Sequence, residues 1–189
     1  VYKRQGMNVL RYTAMLCVRK GARPIFCAPI RADVLPLIDG VYREVCVAEG
    51  RPEAYDRENV VYFGDLELTF MSGVYSRIVT EGCSCFVDVG ALTSSDCYPL
   101  SSASARGALV ISGTPRYTHQ GRLAVYSDYP LFCDDIFAAG AIASGDPVIA
   151  STIAAEDVAK WALVVVAIVS IVLGLTGFPV VGKKGWLFL

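Results

Sequence analysis

Between residues 6 and 160, short runs of β-branched and aromatic residues alternate with longer stretches in which apolar side chains recur every three or four positions. Residues 25–30 (IFCAPI) read as a strand. Residues 33–49 follow with Leu37 or Ile38, Val41, Val45 and Ala48 on one helical face, Asp33 placed as N-cap and Gly50 as the stop. The pattern then repeats. Residues 60–63 read as a strand and residues 66–81 as a helix carrying Leu68, Met71, Tyr75 and Ile78, with Gly82 as its end. Residues 85–89 form the third strand, 95–105 the next helix, and 109–112 and 123–127 the fourth and fifth strands. A small-residue helix over 136–144 is headed by Asp134 or Asp135 and stopped by Gly145.

Continuous apolar strands alternating with helices predict a parallel sheet covered on both faces. The expected fold is therefore an α/β, three-layer, Rossmann-like sandwich with a mainly parallel sheet, followed by a C-terminal transmembrane helix.

That last element comes from residues 161–181, WALVVVAIVSIVLGLTGFPVV, which carry no charge. About 20 apolar residues of helix span the hydrocarbon core, and Trp161, Trp186, Lys160, Lys183 and Lys184 bracket the block as interfacial anchors do. Gly174, Gly177 and Pro179 weaken its far end, leaving either one helix to Val181 or a shorter one, a turn and a second span from Trp186. Ser170 and Gly174 make a small-xxx-small pair suited to a neighbouring helix. Ser151-Thr152 reads as the helix start, with Glu156 and Asp157 near its positive end.

Composition adds three constraints. The formal net charge of -1, with 19% charged residues, excludes a basic nucleic-acid-binding surface. Seven cysteines, an odd number scattered over apolar elements, read as reduced core thiols rather than a disulfide framework. They favour the cytoplasmic side of a membrane for the domain. At the N-terminus, Val1-Tyr2-Lys3-Arg4-Gln5 matches the in-frame translation of a transposon-end sequencing adapter, and the far end stops in apolar residues; both ends read as cuts in a longer reading frame. The expected organisation is a scar over residues 1–5, the α/β domain over 6–151, membrane entry and crossing over 152–181, and a truncated tail or second span over 182–189.

Ligands of open parallel sheets bind beyond the carboxyl ends of the strands. The residues expected there are Asp65, Asp88, Ser94, Ser112, Gly113, Thr114 and Asp128, a set of acids and hydroxyls suited to a polar ligand or an oxygen-liganded divalent cation, and equally to loop and N-cap duty. No glycine-rich phosphate loop supports a nucleotide, and no cofactor is indicated. Cys83 and Cys85 share a strand face, His119 lies in a polar loop, and Asp134-Asp135 fits capping as well as a paired-carboxylate site.

Four segments carry a family resemblance: Gly50-Arg51-Pro52-Glu53-Ala54-Tyr55, residues 107–114 (GALVISGT), Ser127-Asp128-Tyr129 with residues 134–139 (DDIFAA), and Asp146-Pro147 through Glu156-Asp157 to Lys160. In order and spacing they resemble a prokaryotic family of predicted membrane proteins catalogued as a domain of unknown function. Where that family has an acid–serine pair after the third strand, this chain has Asp96-Cys97, and its LAETG helix end is replaced by residues 101–107. The resemblance implies a membrane-associated α/β domain and carries over no catalytic residues.

The expected role is a membrane-tethered module for ligand binding or assembly, partnered by lipid and by other membrane subunits and not by nucleic acid. The alternatives are an enzyme acting on a small polar ligand at the strand ends, and a structural subunit of a membrane complex.

Overall fold

The computed structural model describes residues 2–28 and 32–175. The chain divides into two compact units, Val1–Asp146 and Pro147–Leu189.

The first unit opens with α1 (Tyr2–Lys20), β1 (Phe26–Cys27), α2 (Leu35–Ala48) and β2 (Val60–Val61). β1 and β2 pair in parallel, Phe26 opposite Val60. Ala14 and Val18 of α1 bury against Ile38, Tyr42, Val45 and Cys46 of α2, with Phe26 and Ala28 completing the cluster. Surface pairs join the same two helices: Arg19 forks onto both oxygens of Glu49 at 2.7 and 2.9 Å, and Arg11 meets Glu44 at 2.6 Å. Exposed as they are, these pairs add little beside the apolar contact beneath them.

The second sheet is built from β3 (Cys85–Val89), β4 (Leu109–Thr114) and β5 (Tyr129–Phe132), all parallel, with β4 in the middle. Between them run α3 (Glu67–Glu81), α4 (Cys97–Ala105) and α5 (Gln120–Tyr126), and α6 (Asp135–Ser144) follows β5. Side chains alternate across a strand. Val110, on one face, packs with Val74 and Ile78 of α3, Leu100 and Ala103 of α4, and Tyr126 of α5. Gly113, on the other, lies against Leu131 and Ile136 of α6 so closely that a Cβ there would sit 2.9 Å from Leu131 Cβ and 3.1 Å from Ile136 Cγ1.

Several expectations need correction. The β-structure forms two small parallel sheets, not one. Residues 123–126 of the expected strand 123–127 are helical: a run of four or five apolar residues suits either state, and here Leu123 alone is buried while Val125 faces out. The fifth strand comes later and contains Pro130, tolerated because β5 is an edge strand. α1 was not anticipated at all. Asp33 falls in a short 3-10 turn before α2, whose N-cap is Val34. The glycine stops do sit in the left-handed region at Gly50 (φ 69°) and Gly145 (φ 63°).

The second unit, as described, is α7 (Pro147–Leu175), with proline at its first position. The expected membrane crossing is overturned: among the described residues no helix is long and apolar enough to cross a membrane. Glu156, Asp157 and Lys160 interrupt α7, Lys160 Nζ lying 3.1 Å from Glu156 and 4.0 Å from Asp157. Beyond them the charge-free described helix is about 15 residues, or about 22 Å, against the ~30 Å of a hydrocarbon core. The Ser170 hydroxyl donates to Val166 O at 2.8 Å, within its own helix, rather than to a neighbour. With the crossing go the membrane tether, the lipid and membrane-subunit partners, and the membrane localisation with a cytoplasm-facing domain. The turn at Gly177 and Pro179, the lysine pair Lys183 and Lys184, and Trp186 lie outside the described residues, as do Pro29 and Ile30 of the first expected strand.

Candidate functional site

The carboxyl ends of β3 and β4 give rise to two loops, residues 90–96 and 115–119, and beside them, at the end of β3, lies the carboxyl whose pKa moves furthest among the described residues, Asp88. Asp88 is the penultimate residue of β3 and pairs with Ser112 of β4. By alternation it lies on the face carrying Phe86 and Val110, at the end of the apolar cluster under α3 and α4. Asp88 keeps some solvent contact, and its carboxyl makes no side-chain hydrogen bond among the described residues.

Asp96, 4% exposed, is the residue before α4, near enough for its charge to act on Asp88. Its carboxylate turns back into the loop instead of capping the helix. It accepts the Thr93 backbone N–H and, at 3.2 Å, the Thr93 hydroxyl. Glu67, the first residue of α3, accepts the Thr93 hydroxyl at 2.7 Å and the hydroxyl of buried Ser95. Arg116 donates to Leu92 O at 3.4 Å from the β4 side. The loop is thus stitched to α3 and to the loop after β4.

These contacts set the charges. Burial, with the neighbouring Asp96 carboxylate adding to it, pushes the Asp88 carboxyl up to about 8. Burial likewise raises Asp96; its Thr93 hydrogen bonds pull the other way, Glu67 pushes it up further, and His119 favours its charged form. Glu67 is held below the usual carboxylate range by the Ser95 and Thr93 hydroxyls, with Arg116 assisting. A carboxyl that keeps its proton to near neutral pH beside a second buried carboxyl is the kind of group that can give and take protons there.

The residues singled out in the sequence fare unevenly. Asp88, Ser112, Gly113 and Thr114 sit together at the ends of β3 and β4. The Ser112 hydroxyl is buried and bonded to Ser127, Thr114 Oγ1 accepts the Arg116 N–H at 3.3 Å, and Gly113 O accepts the Gly90 N–H at 2.9 Å. Ser94 shares the 90–96 loop but is exposed; its neighbour Ser95 is the one turned inward. Asp65 follows β2 in the other sheet, where it is exposed and accepts the Tyr62 hydroxyl, which raises that phenol. Asp128 falls at the amino end of β5, because the strand starts after it and not before. Its carboxylate accepts Val110 N–H at 2.8 Å and its own N–H donates to Val110 O at 2.9 Å, fixing the β4–β5 register.

The divalent-cation option loses its support: among the described residues no group of three or more His, Cys, Asp or Glu side chains could hold a metal ion. The cysteines are free thiols, and burial raises Cys27 to about 11 and keeps Cys17, Cys46, Cys83 and Cys85 above the ordinary thiol value. A raised thiol is a poor nucleophile, and of these Cys46 is packed in the interior while Cys85 is exposed. Asp135 accepts the Phe132 N–H at 3.0 Å, a turn-forming role.

Sequence reasoning missed Glu67 and Arg116; it placed the stretch from Asp88 to Ser95 at the strand end but singled out Ser94 rather than Thr93 and Ser95. Asp96 surfaced only through the acid–serine position of the family pattern, and His119 read as a loop bystander. The available signal was the spacing of Thr93, Ser95 and Asp96 immediately after an apolar strand, a pattern that also describes an ordinary helix start.

A family described as "Domain of unknown function (DUF6754)" matches residues 6–183. No curated protein and no solved structure matches the chain. The family resemblance noted in the sequence carried an expectation of membrane spanning, and that part is corrected by the absence of a crossing helix among the described residues.

Proposed function

We propose that this chain, which belongs to the DUF6754 family, is an enzyme that moves a proton on a small polar substrate at the carboxyl ends of β3 and β4. The observation that carries the reading is Asp88. A largely enclosed carboxyl without a hydrogen-bond partner among the described residues, within electrostatic reach of a second buried carboxyl, is costly to keep unless it has a task. In this reading Asp88 is the acid or base, Asp96 the neighbouring charge that sets its proton affinity, and Glu67 with Thr93 and Ser95 the brace that holds the loop. Ser112, Gly113 and Thr114 form the floor beside it. Perturbed carboxyls gathered at strand ends support such a role on general grounds.

The test is solvent exchange. The purified chain is incubated in D2O with a panel of small hydroxy and carbonyl compounds, and C–H loss is followed by proton NMR. At least one compound should exchange, and Asp88→Asn should slow that exchange by about 100-fold or more, the usual contribution of a general acid–base group. In parallel, carbon NMR of labelled aspartate should show one carboxyl, absent from Asp88→Asn, titrating near 8. A midpoint for Asp88 at the ordinary ~4, or a panel without exchange, removes the reading.

A further inference from the structure

At the amino ends of β1 and β2 lies a cleft of about 370 Å3, within the range of small-molecule sites, and unrelated to the residues above. Its wall includes two arginines, Arg23 and Arg51, two acids, Glu53 and Asp56, and the buried polar pair Tyr42 and Asn59. Arg23 Nε donates to Asn59 Oδ1 at 2.8 Å, while its nearest carboxylate, Glu81, is 3.9 Å away, at the limit of an ion pair. Arg51 spends one N–H on Val18 O at 2.9 Å, which ties it to the end of α1. Asn59 is 3% exposed, and its amide nitrogen, which carries two N–H groups, makes one bond, at 3.4 Å to the Tyr42 oxygen. The Tyr42 hydroxyl donates in turn to Ala54 O at 2.7 Å.

The cleft therefore offers a cluster of donors. On the same lining, Glu53 makes no hydrogen bond or ion pair among the described residues, and Asp56 uses one oxygen on the Glu58 N–H at 2.9 Å. Val18, Ala22 and Pro24 add apolar surface to the lining. Paired opposite charges with no net sign do not suit a simple anion. They suit a small molecule that carries both charges.

We propose that this cleft binds a free amino acid with an apolar side chain. Its carboxylate meets Arg23, Arg51 and the Asn59 amide, and its ammonium meets Glu53 and Asp56. Titration calorimetry of the intact chain with L-valine, isovalerate and isobutylamine tests it, since the two analogues each keep one charge. L-valine should bind with a Kd of about 1 mM or tighter, and each analogue about tenfold or more weaker. Arg23→Gln should weaken L-valine at least about tenfold and abolish isovalerate binding; Glu53→Gln should weaken L-valine and isobutylamine and spare isovalerate. Asp88→Asn should leave all three unchanged, which separates this site from the proton-transfer site. The proposal fails if no saturable heat appears, if the analogues bind as well as L-valine, or if Glu53→Gln, which breaks no described contact, binds as the parent does.

Discussion

Asp88→Asn is expected to be more stable than the parent chain at about pH 9 and no more stable at about pH 4. The folded Asp88 carboxyl holds its proton up to about 8, whereas an unfolded aspartate releases it near 3.8. Between those values the native state binds more protons than the unfolded state, so the parent loses stability as pH rises. Below the lower value both states are protonated and the effect vanishes; above the upper one it is complete. Each pH unit in the window is worth about 1.4 kcal/mol, but the residual solvent contact of Asp88 screens part of this, and a total of about 2–4 kcal/mol is expected. Asparagine imitates the neutral acid and does not titrate, so its curve should lack that slope. Asp96 is raised for the same principal reason and contributes a slope of the same sign in both proteins. Urea melts at a series of pH values measure the difference directly, and curves that stay parallel from pH 4 to 9 would contradict the burial of Asp88.

Gly73→Ala should destabilise the fold by about 2–3 kcal/mol, the reverse of what helix propensity alone gives. In the middle of α3, alanine normally gains about 1 kcal/mol over glycine. Here the added Cβ would fall within the Phe63 ring, overlapping Cγ and both Cδ atoms. Those atoms are the root of the ring, so the ring cannot swing clear without dislodging its tilted contact with Phe70, at a centroid separation of 6.5 Å. Phe63 in turn packs on the cluster of Val74, Ile78 and Leu100. Truncating the ring should remove the clash: Gly73→Ala added to Phe63→Ala should cost nothing further, or regain the propensity. A double-mutant cycle by chemical denaturation gives the coupling. Simple additivity would mean that the ring does not occupy the space above Gly73.

The alternation of strand-like and helical stretches in the sequence located β3, β4, α2, α3, α4 and α6 because each carries a buried stripe of its own. Ile38 and Val45, and Met71 and Ile78, are apolar at helical spacing and buried. Leu68 and Tyr75, expected on the same face of α3, and Ala48 of α2 are exposed, and Val74 is buried in α3 instead. The failures have local causes. Leu123, Val125 and Tyr126 satisfy strand propensity, yet the turn of residues 117–119 winds straight into α5, and Pro130 disguised the true strand behind it. That one displacement moved Asp128 from the end of the sheet where ligands bind to the end where it locks register. In α1, Leu10, Ala14 and Val18 carry a readable period among polar neighbours, but alanine and valine make a faint stripe. The apolar block after Trp161 read as a crossing because it was counted to Val181, whereas the described helix carries the run only to Leu175.

At the site, Asp88 was legible as a polar residue closing an apolar strand. Glu67 was not, since it stands some twenty positions earlier at the start of another helix, and only folding brings it to Thr93 and Ser95. Long-range convergence of that kind leaves no mark on spacing.

The two-residue strand β1 reaches into both clusters. Phe26 belongs to the cluster of α1 and α2, with its ring 5.1 Å from that of Tyr42, while the next residue, Cys27, packs on the cluster of α3 and α4. Two adjacent side chains thus rivet two interiors, and Tyr62 and Phe63 repeat the same division one strand over. Neither interior can loosen without pulling a wall out of the other. On heating, residues 2–146 should come apart in one calorimetric step, and whatever occupies the amino-end cleft should lend its binding energy to the Asp88 end as well.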